Sequence, residues 1–229
     1  MQQQESRTTS YTTLASGPDF RHEIEIKRSR FITVLRRAED EETARDVVAG
    51  LRREFHDARH HCSAFVLGAD RGTQRSSDDG EPSGTAGIPM LEAILKRETA
   101  PGVADLSDIS AVVVRYFGGI LLGAGGLVRA YSESVSAAID RAPLVGRRRL
   151  RICAAAVPHS AVGRLENDLR AAGFVMAETS YGAHETTLRV AIPDVAAELS
   201  AAAERMLSFT AGTVELVPGG TEWIDVPLP

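Results

Sequence analysis

AVVVRYFGGILLGAGGLVRAY, residues 111–131, is the stretch whose reading decides the fold. Ala111, Val112, Val113 and Val114 form an unbroken apolar run, which predicts a strand buried on both faces and ending in Arg115-Tyr116-Phe117. Gly118 and Gly119 let a chain leave such a strand sharply. Gly125-Gly126 then leads into a helix whose apolar stripe is Leu127, Val128, Tyr131, Val135, Ala138 and Ile139. A doubly wound dinucleotide fold would need GxGxxG directly after the strand, whereas here the spacing is GGxxxGxGG. The unit built around this segment is therefore expected to be α+β.

Working toward the N-terminus, residues 1–19 are polar and read as a loose lead-in. Phe20, His22, Ile24 and Ile26 alternate with charged residues, the period of a strand. A second strand is expected at 31–35. Asp40 is placed to cap a helix that begins with Glu41 and Glu42 and buries Ala44, Val47, Val48, Leu51 and Phe55, running to about residue 59. In the next strand the buried set is either Cys62, Ala64 and Val66 or Phe65 and Leu67. Residues 68–87 read as one long loop, of the kind that is usually functional or disordered. Pro89 suits the first turn of a helix with Met90, Leu91, Ile94 and Leu95 on its apolar side.

Working toward the C-terminus, the character changes near residues 143–149. A strand at 150–157 is followed by a helix with Val162, Leu165 and Leu169, stopped by Gly173. Strands are expected at 174–181 and 186–192, then a helix capped by Asp194 with Val195, Leu199, Ala202 and Met206, then a last strand at 213–217. The order β-α-β-β-α-β is the ferredoxin-like pattern. The expected organisation is a lead-in at 1–19, a domain at 20–145, a ferredoxin-like domain at 148–222 and a tail at 223–229.

The 229 residues carry a net charge of −5, and beyond residue 147 seven arginines face ten acids, so neither part is basic overall. Nucleic-acid contact, if it occurs, must come from local patches. Only Lys27 and Lys96 among the 26 basic residues are lysines, a bias that suits bidentate anion contacts and that a GC-rich genome would also produce. The polar start MQQQESRTTSYTT lacks a signal-peptide core, and the apolar segment at 116–128 is broken by glycines. With Cys62 and Cys153 far apart, the expectation is a cytoplasmic protein with free thiols and no membrane association.

Two segments concentrate chemistry. In SDDGEPSGTAGIP, residues 77–89, Asp78, Asp79 and Glu81 stand with Ser83, Thr85 and three glycines just before a helix. Glycine-freed amides at a helix start form an anion site, while the acids point to a cation or a basic partner. The alternative is a loop whose acids and hydroxyls cap their own backbone. In the 115–131 segment, Arg115, Tyr116, Arg129 and Tyr131 offer guanidinium and aromatic faces, the equipment for phosphate contact and base stacking. Alternatively the aromatics are core and the arginines pair with the acids of the first loop. His56 and His60 would be four apart on one helix face, but no further ligand pair follows, so no metal is expected. Cys62 reads as a buried, inert thiol.

KRSRFI (27–32), HHCSAF (60–65), SDDGEPSGTAGIP (77–89) and RYFGGILLGAGGLVRAY (115–131), in this order, resemble the bacterial YigZ branch of the IMPACT family. His60, Asp78, Asp79, Glu81, Ser83, Thr85, Arg115, Tyr116, Gly118, Gly119, Gly125, Gly126 and Arg129 match its motifs. His61, Phe65, Val114 and Leu121 depart from residues common there, namely asparagine, tyrosine, threonine and, in some members, lysine. The resemblance implies an N-terminal domain like the second domain of a small-subunit ribosomal protein and a C-terminal domain like late domains of elongation factor G. It implies a cytoplasmic, translation-associated binding or regulatory protein, with RNA, the ribosome or a translation-regulatory protein as partner, and no cofactor. In this reading Arg115 and Arg129 contact phosphate or an acidic partner, Tyr116 stacks, and the three acids orient the arginines or meet basic groups of a partner. The competing expectations are an enzyme acting on a small anionic or phosphorylated substrate at the same loop pair, and a protein–protein adaptor.

Overall fold

In the computed structural model, which describes residues 8–228, the chain divides into two compact α+β units, one of residues 8–147 with 226–228 and one of residues 148–225. In the first unit a five-stranded antiparallel sheet runs in the order β2 (Phe20–Ile26), β3 (Ser29–Arg37), β6 (Ile109–Tyr116), β4 (His60–Leu67), β5 (Thr73–Ser77). Helix α1 (Glu41–Glu54) covers one face, where Val47 and Leu51 meet Val34 and Val112. On the other face α2 (Gly87–Leu95) and α3 (Ala124–Ile139) pack Met90, Ile94, Tyr131 and Val135 against Phe31, Cys62, Ala64, Val66 and Val113. Because both faces are covered, the two sets of apolar residues left open for β4 are both buried: Cys62, Ala64 and Val66 on one side, Phe65 and Leu67 on the other. The unbroken run of valines in β6 has the same cause.

Several boundaries differ from the sequence expectation. Part of the expected lead-in is a strand, β1 (Ser10–Leu14), hydrogen-bonded to β7 (Leu144–Pro158). Its threonines and Tyr11 look polar, yet Tyr11 is buried with its hydroxyl donating to the Asp108 carboxylate, and Thr13 Oγ1 donates to the Asp108 carbonyl at 3.3 Å. Helix α1 ends at Glu54 rather than near residue 59, with the Phe55 N–H closing on the Leu51 carbonyl at 2.8 Å. His60 therefore opens β4 opposite Arg115, and His56 and His60 do not share a helix face. The expected long loop is interrupted by β5, an edge strand whose polar residues 73–77 hide its period.

In the second unit the sheet order is β11 (Val217–Val226), β7, β10 (Glu185–Pro193), β8 (Val175–Met176), with β9 (Ser180–Tyr181) also on β10. With α4 (Val162–Ala171) and α5 (Ala196–Phe209) as crossovers, this is the ferredoxin-like arrangement. Leu188, Val190 and Ile192 alternate toward a core shared with Leu165, Leu169 and Met206. Gly173, at φ +85°, follows the end of α4, and the Phe174 N–H bonds the Leu169 carbonyl at 3.0 Å, a Schellman closure. The expected strand at 174–181 is broken into β8 and β9. Asp194 does not cap α5: it holds Arg151 through two bonds of 2.9 and 3.0 Å, and Val195 is the cap position. The last strand begins at Val217 instead of residue 213 and runs into the expected tail, through Pro218-Gly219-Gly220, which read as a turn.

Candidate functional site

The two glycine-rich segments meet at one place. The first loop is folded around Asp78, whose carboxylate accepts from the N–H groups of Gly84 (2.8 Å), Ala86 (3.0 Å) and Gly87 (2.8 Å) at the start of α2. Burial on its own would raise the pKa of this carboxyl, but the three amide donors outweigh it and hold it below the usual aspartate range. Thr85 Oγ1 donates to the Pro82 carbonyl at 2.6 Å, and Ser83 is exposed. Asp79, with φ +43°, accepts from the His61 backbone N–H at 2.6 Å and pairs with Arg52. The loop's own acids and hydroxyls thus do most of the capping.

This turn delivers Glu81 into the protein. Its carboxylate oxygen Oε1 receives Nη1 of Arg115 at 2.6 Å and the Tyr131 hydroxyl at 2.8 Å, and both charged side chains are more than nine-tenths buried. Cys62 continues the network, its Sγ lying 3.0 Å from the Asp78 carbonyl oxygen, to which its one hydrogen is donated, and 3.3 Å from the Tyr131 oxygen. Burial pushes the Cys62 thiol up to about 12 and, with Cys62 and Glu81 adjacent, pushes the Tyr131 hydroxyl up as well. Tyr131 also meets Phe31 edge-on, with ring centroids 5.3 Å apart. His60 Nδ1 lies 2.9 Å from the Asp79 carbonyl, an acceptor only, so Nδ1 carries hydrogen. The other nitrogen, Nε2, lies 4.0 Å from Glu81 Oε1.

The second glycine-rich segment is held by a close backbone approach. A Cβ on Gly118 would fall 2.0 Å from the Arg28 carbonyl carbon and oxygen, at the β2–β3 turn where Lys27 and Arg28 both have positive φ. The Gly118 N–H donates to Ser29 Oγ at 3.2 Å. Gly119 has φ +85° and open space around it. Gly123, at φ +71°, is the N-cap of α3 and offers no side-chain cap, leaving the amides of Ala124, Gly125 and Gly126 without an intrahelical or side-chain partner. Beside this helix end lies a cleft of about 610 Å³ whose wall includes Arg59, His60, Glu81, Arg115, Phe117 and Leu121, with Gly123 and Ala124 at the helix start.

The expected roles are redistributed. Arg115 is not a surface phosphate contact: it is buried, bound to Glu81 and flanked by the Phe31 and Phe117 rings at 5.5 and 5.7 Å. Only Glu81 among the three acids orients an arginine of the second loop. Tyr116 donates to Asp57 at 2.6 Å and carries the Arg30 guanidinium 5.5 Å from its ring, so one face of its ring is engaged, as one face of Phe117 is by Arg115. Arg129 is exposed and, among the described residues, unpaired. The residues that sequence reasoning passed over are Arg59, Phe117, Leu121 and Gly123. Phe117 and Leu121 are 53% and 83% exposed, and their signal was the apolar residues inside the glycine pattern. Arg59 gave none, because it was assigned to the helix.

A family model described as the Impact N-terminal domain matches residues 27–139. A protein of Bacillus subtilis named as the IMPACT family member YvyE is 43% identical over 172 residues, 75% of each chain. The IMPACT family member YigZ of Escherichia coli is 38% identical over 195 residues, 84% of this chain and 91% of that one. The chain belongs to the IMPACT family. A solved structure described as that of a hypothetical protein, 36% identical, superposes with a TM-score of 0.57 over 91% of this chain and 97% of its own. The IMPACT model spans all of the cleft residues, so the site lies wholly in the family's N-terminal domain. Among the described residues no helix is long and apolar enough to cross a membrane.

Proposed function

We propose that the protein is a translation-associated binding protein that holds single-stranded RNA at the cleft between its two glycine-rich loops. The observation that carries the reading is the uncapped start of α3 opening beside the cleft that Arg115 and Phe117 line. Amides at a helix start receive phosphate oxygens, and a half-exposed aromatic ring gives a base something to stack on. Arg59 on the cleft wall and Arg129 on α3, both exposed and, among the described residues, unpaired, supply additional positive charge. The link to translation comes from the resemblance to the IMPACT family.

The structure changes the salt dependence expected from sequence. With Arg115 neutralised by Glu81, two arginines, Arg59 and Arg129, are left in this reading to displace counterions, and the slope for a single strand is roughly −0.7 per phosphate neutralised. Affinity should then fall only about sevenfold between 50 and 200 mM salt. Fluorescence anisotropy of a labelled RNA tetranucleotide tests this. The expected result is that mild slope, and strong loss of binding when Arg59 and Arg129 are both changed to alanine. Absence of RNA binding at low salt, or an unaltered double variant, overturns the reading.

An enzyme acting on a small phosphorylated substrate is the second reading, favoured by His60 Nε2 standing near the buried Glu81 at the cleft wall. It predicts release of inorganic phosphate from a phosphomonoester panel, lost in His60→Gln; release that His60→Gln leaves unchanged sinks it.

A further inference from the structure

Three properties of the cleft describe its ligand more narrowly than RNA in general. The first is the supply of donors. The amides of Ala124, Gly125 and Gly126 are uncapped at the start of a 16-residue helix. Arg115 lines the cleft, is 7% exposed, and uses one guanidinium nitrogen on Glu81, while its Nε is buried with no hydrogen-bond partner. Arg59 and His60 stand on the same wall. An internal phosphodiester has two free oxygens and one negative charge, whereas a phosphomonoester has three free oxygens and a second charge, and so matches this donor set better.

The second property is size. About 610 Å³ lies within the ~300–1,000 Å³ range of small-molecule sites and suits one nucleotide rather than a strand running through. The third is the apolar side. Phe117 and Leu121 are among the most exposed large apolar residues of the chain, and they stand at the same cleft as the donors. Leu122 and Leu127 extend that wall. An inorganic anion would leave all of this apolar surface in water.

We infer that the cleft takes a 5′-phosphomonoester carried on a nucleoside, the phosphate at the start of α3 beside Arg115 and the base against Phe117 and Leu121. This rests on the RNA-binding reading and specifies that the protein recognises a terminal, 5′-phosphorylated nucleotide. The Glu81 pair fixes Arg115 in place, and the Gly118 contact with the β2–β3 turn fixes the loop that presents Phe117. The ligand would thus meet a preformed site.

Titration calorimetry with the full chain tests this, using a 5′-phosphorylated RNA tetranucleotide, the same RNA with a 5′-hydroxyl, uridine 5′-monophosphate, and inorganic phosphate. The expected order places the phosphorylated RNA at least about tenfold tighter than the hydroxyl form, since a hydrogen bond to a charged group is worth about that factor. Uridine monophosphate should bind more tightly than inorganic phosphate, and more weakly than the phosphorylated RNA if the source is an RNA end; equal affinity for uridine monophosphate and the phosphorylated RNA identifies the free nucleotide as the ligand and supports the proposal in that form. Two variants keep the fold out of the question. Ala124→Pro removes one helix-start amide at a position where proline is well tolerated, and should weaken the 5′-phosphorylated RNA about tenfold and the hydroxyl form by less, so that the preference for the 5′-phosphate shrinks. Leu121→Glu, at an 83% exposed position, should weaken every nucleotide at least tenfold without moving the melting temperature. Equal binding of phosphorylated and hydroxyl RNA overturns the inference and leaves the RNA reading standing. Binding of neither overturns both. Inorganic phosphate binding as tightly as uridine monophosphate removes the nucleoside from the proposal and overturns it in that form.

Discussion

Changing Arg115 to methionine removes the positive half of a buried ion pair and leaves Glu81, whose side chain is 4% exposed, with the Tyr131 hydroxyl as its remaining donor on that oxygen. Breaking such a pair from one side costs about 3–5 kcal/mol, because the remaining charge is left uncompensated. Tyr131 keeps its bond, so the lower end applies, about 3 kcal/mol. For a chain of this size each kcal/mol shifts the melting temperature roughly 2–4 °C, giving a loss of roughly 6–12 °C. Three of the four tyrosines, Tyr11, Tyr116 and Tyr131, lie in the first unit and Tyr181 and Trp223 in the second, so tyrosine fluorescence reports mainly on the first unit during melting. The pair Arg115→Met with Glu81→Leu should recover most of the loss, since replacing both partners by apolar groups is often neutral. A single variant melting within about 2 °C of the parent, or a double variant no better than the single, would refute the claim that this pair is the buried anchor of the cleft.

Gly118→Ala should destabilise by about 1–3 kcal/mol or more in urea unfolding, because its methyl would fall 2.0 Å from the Arg28 carbonyl group. Gly125→Ala, which has open space in the first turn of α3, should instead gain about 0.4–1 kcal/mol. Asp78→Asn should lose about 1.5–3 kcal/mol at pH 7, three amides being left without their charged acceptor. The folded-state constant of Asp78 is depressed, so its contribution is present above the ordinary aspartate value and is lost as pH falls through the folded one. The deficit of the variant should therefore shrink below about pH 4, which urea titrations at pH 7 and pH 3 will read. Both cysteines are buried, with the thiols pushed upward by burial. A disulfide reagent at pH 8 should modify them only at the rate of unfolding, and rapid labelling of Cys62 would contradict the buried network.

The fold was legible where hydrophobic period and chain punctuation agree. Alternation in β2 and β10, the Asp40 cap and the Gly173 stop all come from local rules that the packing leaves intact. Elements escaped notice where a long-range partner decides. Thr12 and Thr13 in β1 look polar in isolation but are buried, and β5 becomes a strand by pairing with β4 although its residues 73–77 have no apolar face. Pro218-Gly219-Gly220 carries every mark of a turn, yet a Cβ on Gly219 would lie 2.9 Å from the Ile152 carbonyl, a backbone approach that only a glycine permits inside β11. In the site, the motif residues were visible but their roles were not. Spacing cannot reveal that Glu81 and Arg115, 34 residues apart, neutralise each other, or that Tyr116 spends its hydroxyl on Asp57. What the cleft offers a ligand is therefore the donor capacity Arg115 keeps beyond Glu81 together with neighbours such as Arg59, Phe117 and Gly123, which become significant only once the two loops are brought together.

The central claim, that the cleft at the start of α3 is the binding site, is tested most directly by amide chemical-shift mapping of the 15N-labelled protein during titration with a 5′-phosphorylated RNA tetranucleotide. The account predicts saturable shifts centred on the amides of Ala124, Gly125 and Gly126 and on the Arg115 Nε–H, with smaller changes at Arg59, His60 and Phe117. Shifts confined to the second unit, or none at the start of α3 while the RNA binds, would contradict it.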